Sequence, residues 1–197
     1  MTAQSLDFDS IHDAYRVRIL RYLTRLAGAA DAEDLTQQVL LKISESLGQF
    51  RGDASLSTWI YRIATNAALD QLRRVRARPV QGLAFATTTA DNESDSDVEG
   101  DWAEASIPSV EARVIRQEMS QCVRDFVEHL PENYKSVIVL SELEGFKNSE
   151  IADILGISLD AVKIRLHRAR EKLRQDLAAG CSFHRDERNE FACDRKP

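Results

Sequence analysis

The stretch Asn148–Leu173, NSEIADILGISLDAVKIRLHRAREKL, leaves little freedom of local fold: it predicts two helices joined by a tight turn, the second strongly basic. Ala152 is small enough for the second helix to approach the first closely. Gly156 accepts the left-handed backbone that ends a helix without a Cβ clash. Ser158 is a natural N-cap, and Val162, Leu166, Ala169 and Leu173 then recur at helical spacing as a buried stripe. Away from that stripe lie Lys163, Arg165, His167, Arg168, Arg170, Lys172 and Arg174. A basic helix alone also suits the solvated side of a bundle. With the turn signature beside it, the pattern predicts a helix-turn-helix whose second helix enters the major groove, with Ser158, Lys163, Arg165, His167 and Arg168 as DNA contacts.

The charge of the whole chain qualifies that reading. Phosphate contacts supply much of the affinity of a protein that grips DNA by itself, which favours a positive balance. Here the net charge is −6, so the basic residues are local and the rest of the molecule is acidic. The balance implies weak autonomous binding, or a larger partner that completes the grip. Charge also divides the chain. Residues 79–108 contain Asp91, Glu93, Asp95, Asp97, Glu99, Asp101 and Glu104 but no Lys or Arg, and little apolar periodicity. Such a segment cannot offset its ordering entropy and reads as a flexible acidic linker, able to span up to about 100 Å when extended. The expected organisation is therefore all-α: a helical domain over 1–78, the linker over 79–108, a helix-turn-helix domain over 109–179 and a Cys/His-containing tail over 180–197.

In the first domain one helix is expected from about Phe8 to Leu26, with Ile11, Tyr15, Ile19, Tyr22, Leu23 and Leu26 inward. Asp31, with Asp34 three residues on, is expected to cap a second helix whose stripe is Leu35, Val39, Ile43 and Leu47. After Gly48–Asp53, Ser55 or Ser57 starts a third helix reaching about Arg76, burying Ile60, Ile63, Ala64, Ala67 and Leu72. Its other side shows Trp59, Arg62, Asn66 and Arg73 and ends in an arginine-rich run. A ring to stack, an amide to read base edges and guanidiniums for phosphates suit unpaired nucleic acid. The same residues could serve as core, ion pair and helix C-cap.

No apolar leader stands after Met1, no run approaches a membrane span, and three cysteines are too few for a disulfide framework. These features predict a cytoplasmic protein without membrane insertion. The absence of a Gly-rich phosphate loop or a G-x-S-x-G nucleophile argues against an enzyme. A stand-alone helix-turn-helix repressor or activator, with a metal- or redox-sensing tail, is the competing reading.

Two passages carry a family resemblance. Ala32–Arg74 contains DLTQQVLLKI and then F-R-x2-A-S-x2-T-W-I-Y-R-I-A-x-N, and Leu130–Arg174 contains the helix-turn-helix. Their order resembles the extracytoplasmic-function sigma factors, compact members of the sigma-70 family of bacterial RNA polymerase sigma factors. The resemblance implies that Asp34, Gln37, Gln38 and Leu41 bind a coiled coil of core RNA polymerase. It implies that Phe50, Arg51, Ser57, Trp59, Arg62, Asn66, Arg73 and Arg74 recognise the −10 promoter element as single-stranded DNA. The second domain would read the −35 element as duplex, and an anti-sigma factor would be the regulator. Lys163 stands where family members often carry Arg, and His167 where they vary, which bears on promoter choice.

The tail departs from the family pattern. Cys181, His184 and Cys193 offer three donors that zinc or copper accepts, with Asp186, Glu187 or Cys122 as a fourth; a docking peptide or an inert end fits the same residues. Cys122 itself reads as a packed small hydrophobe. No cofactor is otherwise implied.

Overall fold

Helix α1 (Phe8–Ala27) buries Ile11, Ile19, Tyr22, Leu23 and Leu26, apolar residues at helical spacing along one side. It ends at Gly28, whose N–H bonds to the Thr24 carbonyl at 3.1 Å, and α2 (Ala29–Ser46) begins at once. The second helix thus starts two residues before the expected Asp31 cap. With no linker between the helices, Asp31 falls inside the first turn, where its charge faces the positive end of the helix dipole. The computed structural model describes residues 7–77, 123–185 and 191–196; the expected linker, Arg78, Cys122 and the opening of the second domain lie outside them.

A 3-10 turn (Leu47–Gln49) leads to α3 (Leu56–Ala77). The Ser55 hydroxyl accepts the Thr58 N–H at 3.1 Å, so Ser55 is the N-cap and Ser57 is not. Ser57 instead shares a 2.7 Å hydrogen bond with the Tyr15 hydroxyl, tying the start of α3 to α1. The buried side of α3 holds Ile60, Tyr61, Ala64, Thr65, Ala67 and Ala68, while Ile63 and Leu72 are only half-buried. The inward face is therefore rotated towards Tyr61, a residue a hydropathy pattern places badly because its ring is apolar and its hydroxyl is not. That hydroxyl finds its partner in the other domain.

The described part of α4 (residues 123–128) and α5 (Glu132–Ile138) precede a π-turn (Val139–Leu143), α6 (Asn148–Leu155) and α7 (Leu159–Gly180). Val127, Leu130, Val137, Ile138, Leu140, Ile151, Ile154, Val162, Leu166 and Ala169 are buried and belong to the same apolar cluster as the buried residues of α1, α2 and α3. The turn between α6 and α7 takes its expected form. Gly156 is left-handed (φ 67°, ψ 36°) and donates its N–H to the Ala152 carbonyl at 2.9 Å. Ser158 accepts from the Ala161 N–H at 3.1 Å as the N-cap of α7.

The tail is a hairpin rather than a fraying end. Strands β1 (Cys181–Arg185) and β2 (Phe191–Arg195) pair antiparallel, an element that nothing in the sequence pattern predicts in an otherwise helical chain. The ribbon starts directly at the end of α7, where Gly180 lies under the Phe126 ring: a Cβ there would stand 2.6 Å from the ring carbon Cζ. Arg195 pairs with Asp125 at 2.9 Å and lies over the Phe126 ring, holding the ribbon against α4.

The two helical domains touch. The Glu144 carboxylate, with a side chain only 8% exposed, accepts from Arg25 Nη1 at 2.9 Å and from the Tyr61 hydroxyl at 2.5 Å. Phe146 packs edge-on against the Tyr61 ring, with centroids 4.8 Å apart, and Arg76 pairs with Glu132 at 3.0 Å.

Candidate nucleic-acid interface

The face of α3 opposite its core is assembled as the spacing requires. At 100° per residue Trp59, Arg62, Asn66 and Arg73 fall within about 60° of arc. Arg62, Asn66, Arg73 and Arg74 are exposed, and Trp59 is half-buried with its ring 5.2 Å from that of Phe50. Phe50 and Trp59 thus form one aromatic step where the loop meets the helix, and exposed Arg51 stands beside it. Arg73, not Arg62, pairs with Asp70, at 3.0 Å. Arg51, Arg62 and Arg74 make no ion pair among the described residues, so their charge is available to an external phosphate. Ser57 stands apart from this group through its bond to Tyr15.

Along α7 the basic residues separate into two classes. In the C-terminal half Arg170 pairs with Glu142 at 2.7 Å, Lys172 with Asp176 at 2.6 Å and Arg174 with Glu171 at 2.5 Å. The Arg174 and Gln175 hydrogen bonds hold the Glu171 carboxyl below its ordinary range. In the N-terminal half Arg165, His167 and Arg168 make no ion pair among the described residues, and Lys163 has only a 3.8 Å approach to Asp160. Internal partners neutralise the end of the helix and leave its beginning positive. The N-terminal residues of a recognition helix are the ones that meet base edges. Spacing within α7 suggests the Lys172–Asp176 and Arg174–Glu171 pairs but not that of Arg170, because Glu142 comes from another element.

On α2 the residues Asp34, Gln37, Gln38 and Leu41 are all exposed on one side, and Leu41, at 59% exposed, is one of the most uncovered large apolar side chains. An apolar side chain ringed by amides and a carboxylate suits a protein surface better than a phosphate backbone.

The tail residues are differently arranged. Strand register pairs Cys181 with Arg195, Phe183 with Cys193 and His184 with Ala192.

Comparison with known proteins decides the family. The profile for sigma-70 region 2 matches residues 11–78 and that for sigma-70 region 4 matches residues 120–173. The chain is 33% identical over 171 residues to the RNA polymerase sigma-H factor of Pseudomonas aeruginosa, covering 86% of each. It is 32% identical over 171 residues to the ECF RNA polymerase sigma factor SigW of Bacillus subtilis, covering 86% of this chain and 88% of the relative. The chain belongs to the extracytoplasmic-function sigma factors. As a sigma factor it binds core RNA polymerase and directs promoter recognition and transcription initiation, which does not favour the stand-alone repressor or activator. Its fold is similar to that of CnrH in complex with the cytosolic domain of CnrY (TM-score 0.58, 22% identity, 87% of this chain and 88% of that chain). It is also similar to the sigma factor RpoE in complex with the anti-sigma factor NepR from Bartonella quintana (TM-score 0.62, 22% identity, 87% of this chain and 97% of that chain). Among the described residues of this sigma factor no helix is long and apolar enough to cross a membrane.

Proposed function

We propose that this sigma factor divides promoter recognition between α3, which takes single-stranded −10 DNA, and the first half of α7, which reads duplex −35 DNA. The observation that carries the division is the contrast in available groups. On α3 an aromatic step lies beside exposed Arg62 and Asn66; on α7 the positive residues without ion pairs are confined to the start of the helix. Stacking and a pocket for an extruded base suit the first, since a matching pocket can offset the few kcal/mol that extrusion costs. Bidentate guanidinium contacts to guanine suit the second. Arg73 and Arg74 hold the backbone of the opened strand.

In the same reading, Asp34, Gln37, Gln38 and Leu41 on α2 dock on the polymerase, and the domain boundaries lie near residues 78, 108 and 179. The protein works in the cytoplasm and catalyses no reaction itself, acting by directing the polymerase. An anti-sigma factor of protein nature covers these surfaces until a signal releases it. Cys181, His184 and Cys193 are the donors with which the tail would hold zinc or copper.

Gel filtration of the full chain with core RNA polymerase, beside duplex binding by the chain alone, tests the division. A stable complex with weak duplex binding in isolation is the expected result. Tight, salt-sensitive duplex binding without polymerase would overturn it.

A further inference from the structure

Helix α7 presents one side chain that its basic neighbours do not explain. Ile164 is 41% exposed and is not among the residues that form or pack against the apolar cluster, although Val162 and Leu166, two positions to either side, are buried. At 100° per residue it stands about 170° from the middle of the Val162, Leu166, Ala169 and Leu173 stripe, at the centre of the outward face. Arg168 flanks it at about 40° and His167 at about 60° on the other side, with Lys163 beyond. Leu159, the other exposed large apolar residue of α7, is about 140° round and belongs to a different side. Single exposed apolar residues are ordinary on a protein surface. This one differs in standing in the middle of the basic group, so it is covered whenever Lys163, His167 and Arg168 engage DNA.

An isoleucine neither donates nor accepts a hydrogen bond. A phosphate or a polar base edge pressed against it loses water without gaining a partner. Phosphate is further disfavoured by Asp160, which lies one turn before Ile164 on the same face with its carboxylate exposed. In the major groove guanine shows two acceptors, adenine an acceptor and a donor, and cytosine a donor. Thymine alone shows a methyl group, at C5. Against Ile164 that methyl gains an apolar neighbour, whereas the other three bases lose hydration, so attraction and penalty select the same base. The position of the thymine is bounded as well. Ile164 and Arg168 are four residues apart, about 6 Å along the axis, which is close to two base steps of about 3.4 Å. The thymine therefore falls within about three base pairs of the guanine that Arg168 contacts.

We propose that Ile164 is a specificity-determining residue for the −35 element: it packs on the C5 methyl of a thymine and makes that T·A pair the preferred one in the promoters this sigma factor uses. The proposal rests on the reading of α7 as the duplex-binding helix and places an apolar contact at the centre of its charged ones. Arg165 stands about 100° from Ile164 and is half-buried, so it reaches the groove from the edge of this face. Base choice is thus divided along one helix: guanidiniums choose guanine, and the isoleucine chooses thymine beside it.

The test uses the full chain with core RNA polymerase on promoter fragments whose −35 region is randomised, the bound fraction being sequenced. The wild type is expected to enrich thymine at one position near a guanine whose enrichment Arg168→Ala removes. Ile164→Ser should lose the thymine and keep the guanine. In the enriched promoter that thymine is then replaced by deoxyuridine, which removes the C5 methyl and keeps every hydrogen-bonding atom. The wild type should bind the deoxyuridine fragment about fourfold more weakly, the worth of one buried methyl, whereas Ile164→Ala should bind the two fragments within about twofold of each other. Each ratio is taken within one protein, so any change in the folded fraction cancels. Thymine enrichment that survives Ile164→Ser, or an undiminished deoxyuridine effect in Ile164→Ala, would overturn the role of Ile164 and leave the reading of α7 standing. A wild type with no base preference anywhere in the −35 region would overturn that reading and the proposal together.

Discussion

Helices α3 and α7 are each 22 residues long, each carries arginines, and each turns one face to a core. They differ in what stands beside the charge. On α3 an aromatic step flanks the exposed amide and guanidiniums, and the positive residues thicken towards the C-terminus. On α7 no Phe, Tyr or Trp lies among the basic residues, and internal carboxylates cancel the C-terminal charge, leaving a short positive start. The lesson is that total charge describes neither surface. Rings and amides next to charge suit bases out of the stack, whereas isolated guanidiniums at a helix start suit a closed groove.

The comparison breaks most decisively at Arg165 and Arg168. Replacing both with Ala should lower −35-dependent transcription at least about thirtyfold, since each bidentate contact is worth about 1–3 kcal/mol. Binding to core polymerase should be unchanged, as measured by co-elution; if it vanished too, the separation of roles between the domains would be wrong. Trp59→Ala comes next. Loss of one stacked base, about 1–3 kcal/mol, should reduce strand opening roughly ten- to a hundredfold, read by permanganate footprinting, while duplex −35 binding persists. Equal loss of both activities would mean that Trp59 acts through stability alone.

Smaller effects sharpen the contrast through the scaffold. Gly180→Ala drives a methyl into the Phe126 ring and should cost about 1–3 kcal/mol by thermal denaturation, since the junction of α7 and β1 leaves no space. Gly156→Ala places a side chain in left-handed backbone and should cost about 1 kcal/mol, weakening duplex reading on α7 but not strand opening on α3. Alkaline pH should act on the first domain before the second. Tyr22 and Tyr61 are both pushed above their ordinary value of 10.0, chiefly by burial. The folded state keeps protons that the unfolded chain loses above that value. Their contribution is therefore complete below about pH 10 and declines as pH rises further. Chemical denaturation at pH 9 and pH 11 should show the loss, and Tyr61→Phe should lessen the pH dependence.

Much of this was legible because it is local. The glycine turn, the Ser158 cap and the stripe of α7 are set by residues a few positions apart, and the structure forms them as expected. The exposed side of α3 came from spacing too. What could not be read is long-range. Glu144 meets Tyr61 across 83 positions and Arg25 across 119, and no periodic pattern carries that information. The cap of α2 was misplaced because Gly28 both ends one helix and starts the next. The terminal ribbon was missed because each of its strands is only five residues long, too short for its pattern to stand out in a helical chain.

The π-turn at Val139–Leu143, where the Glu144 N–H bonds back to the Val139 carbonyl at 3.0 Å, is a helix carrying one residue more than its regular repeat needs. Removing a single residue there would restore the ordinary pitch and swing the next stretch of chain by about 100° around the axis. Glu144 would then point away from Arg25. In terms of descent, one codon gained or lost at this turn is enough to move Glu144 off Arg25 and Tyr61.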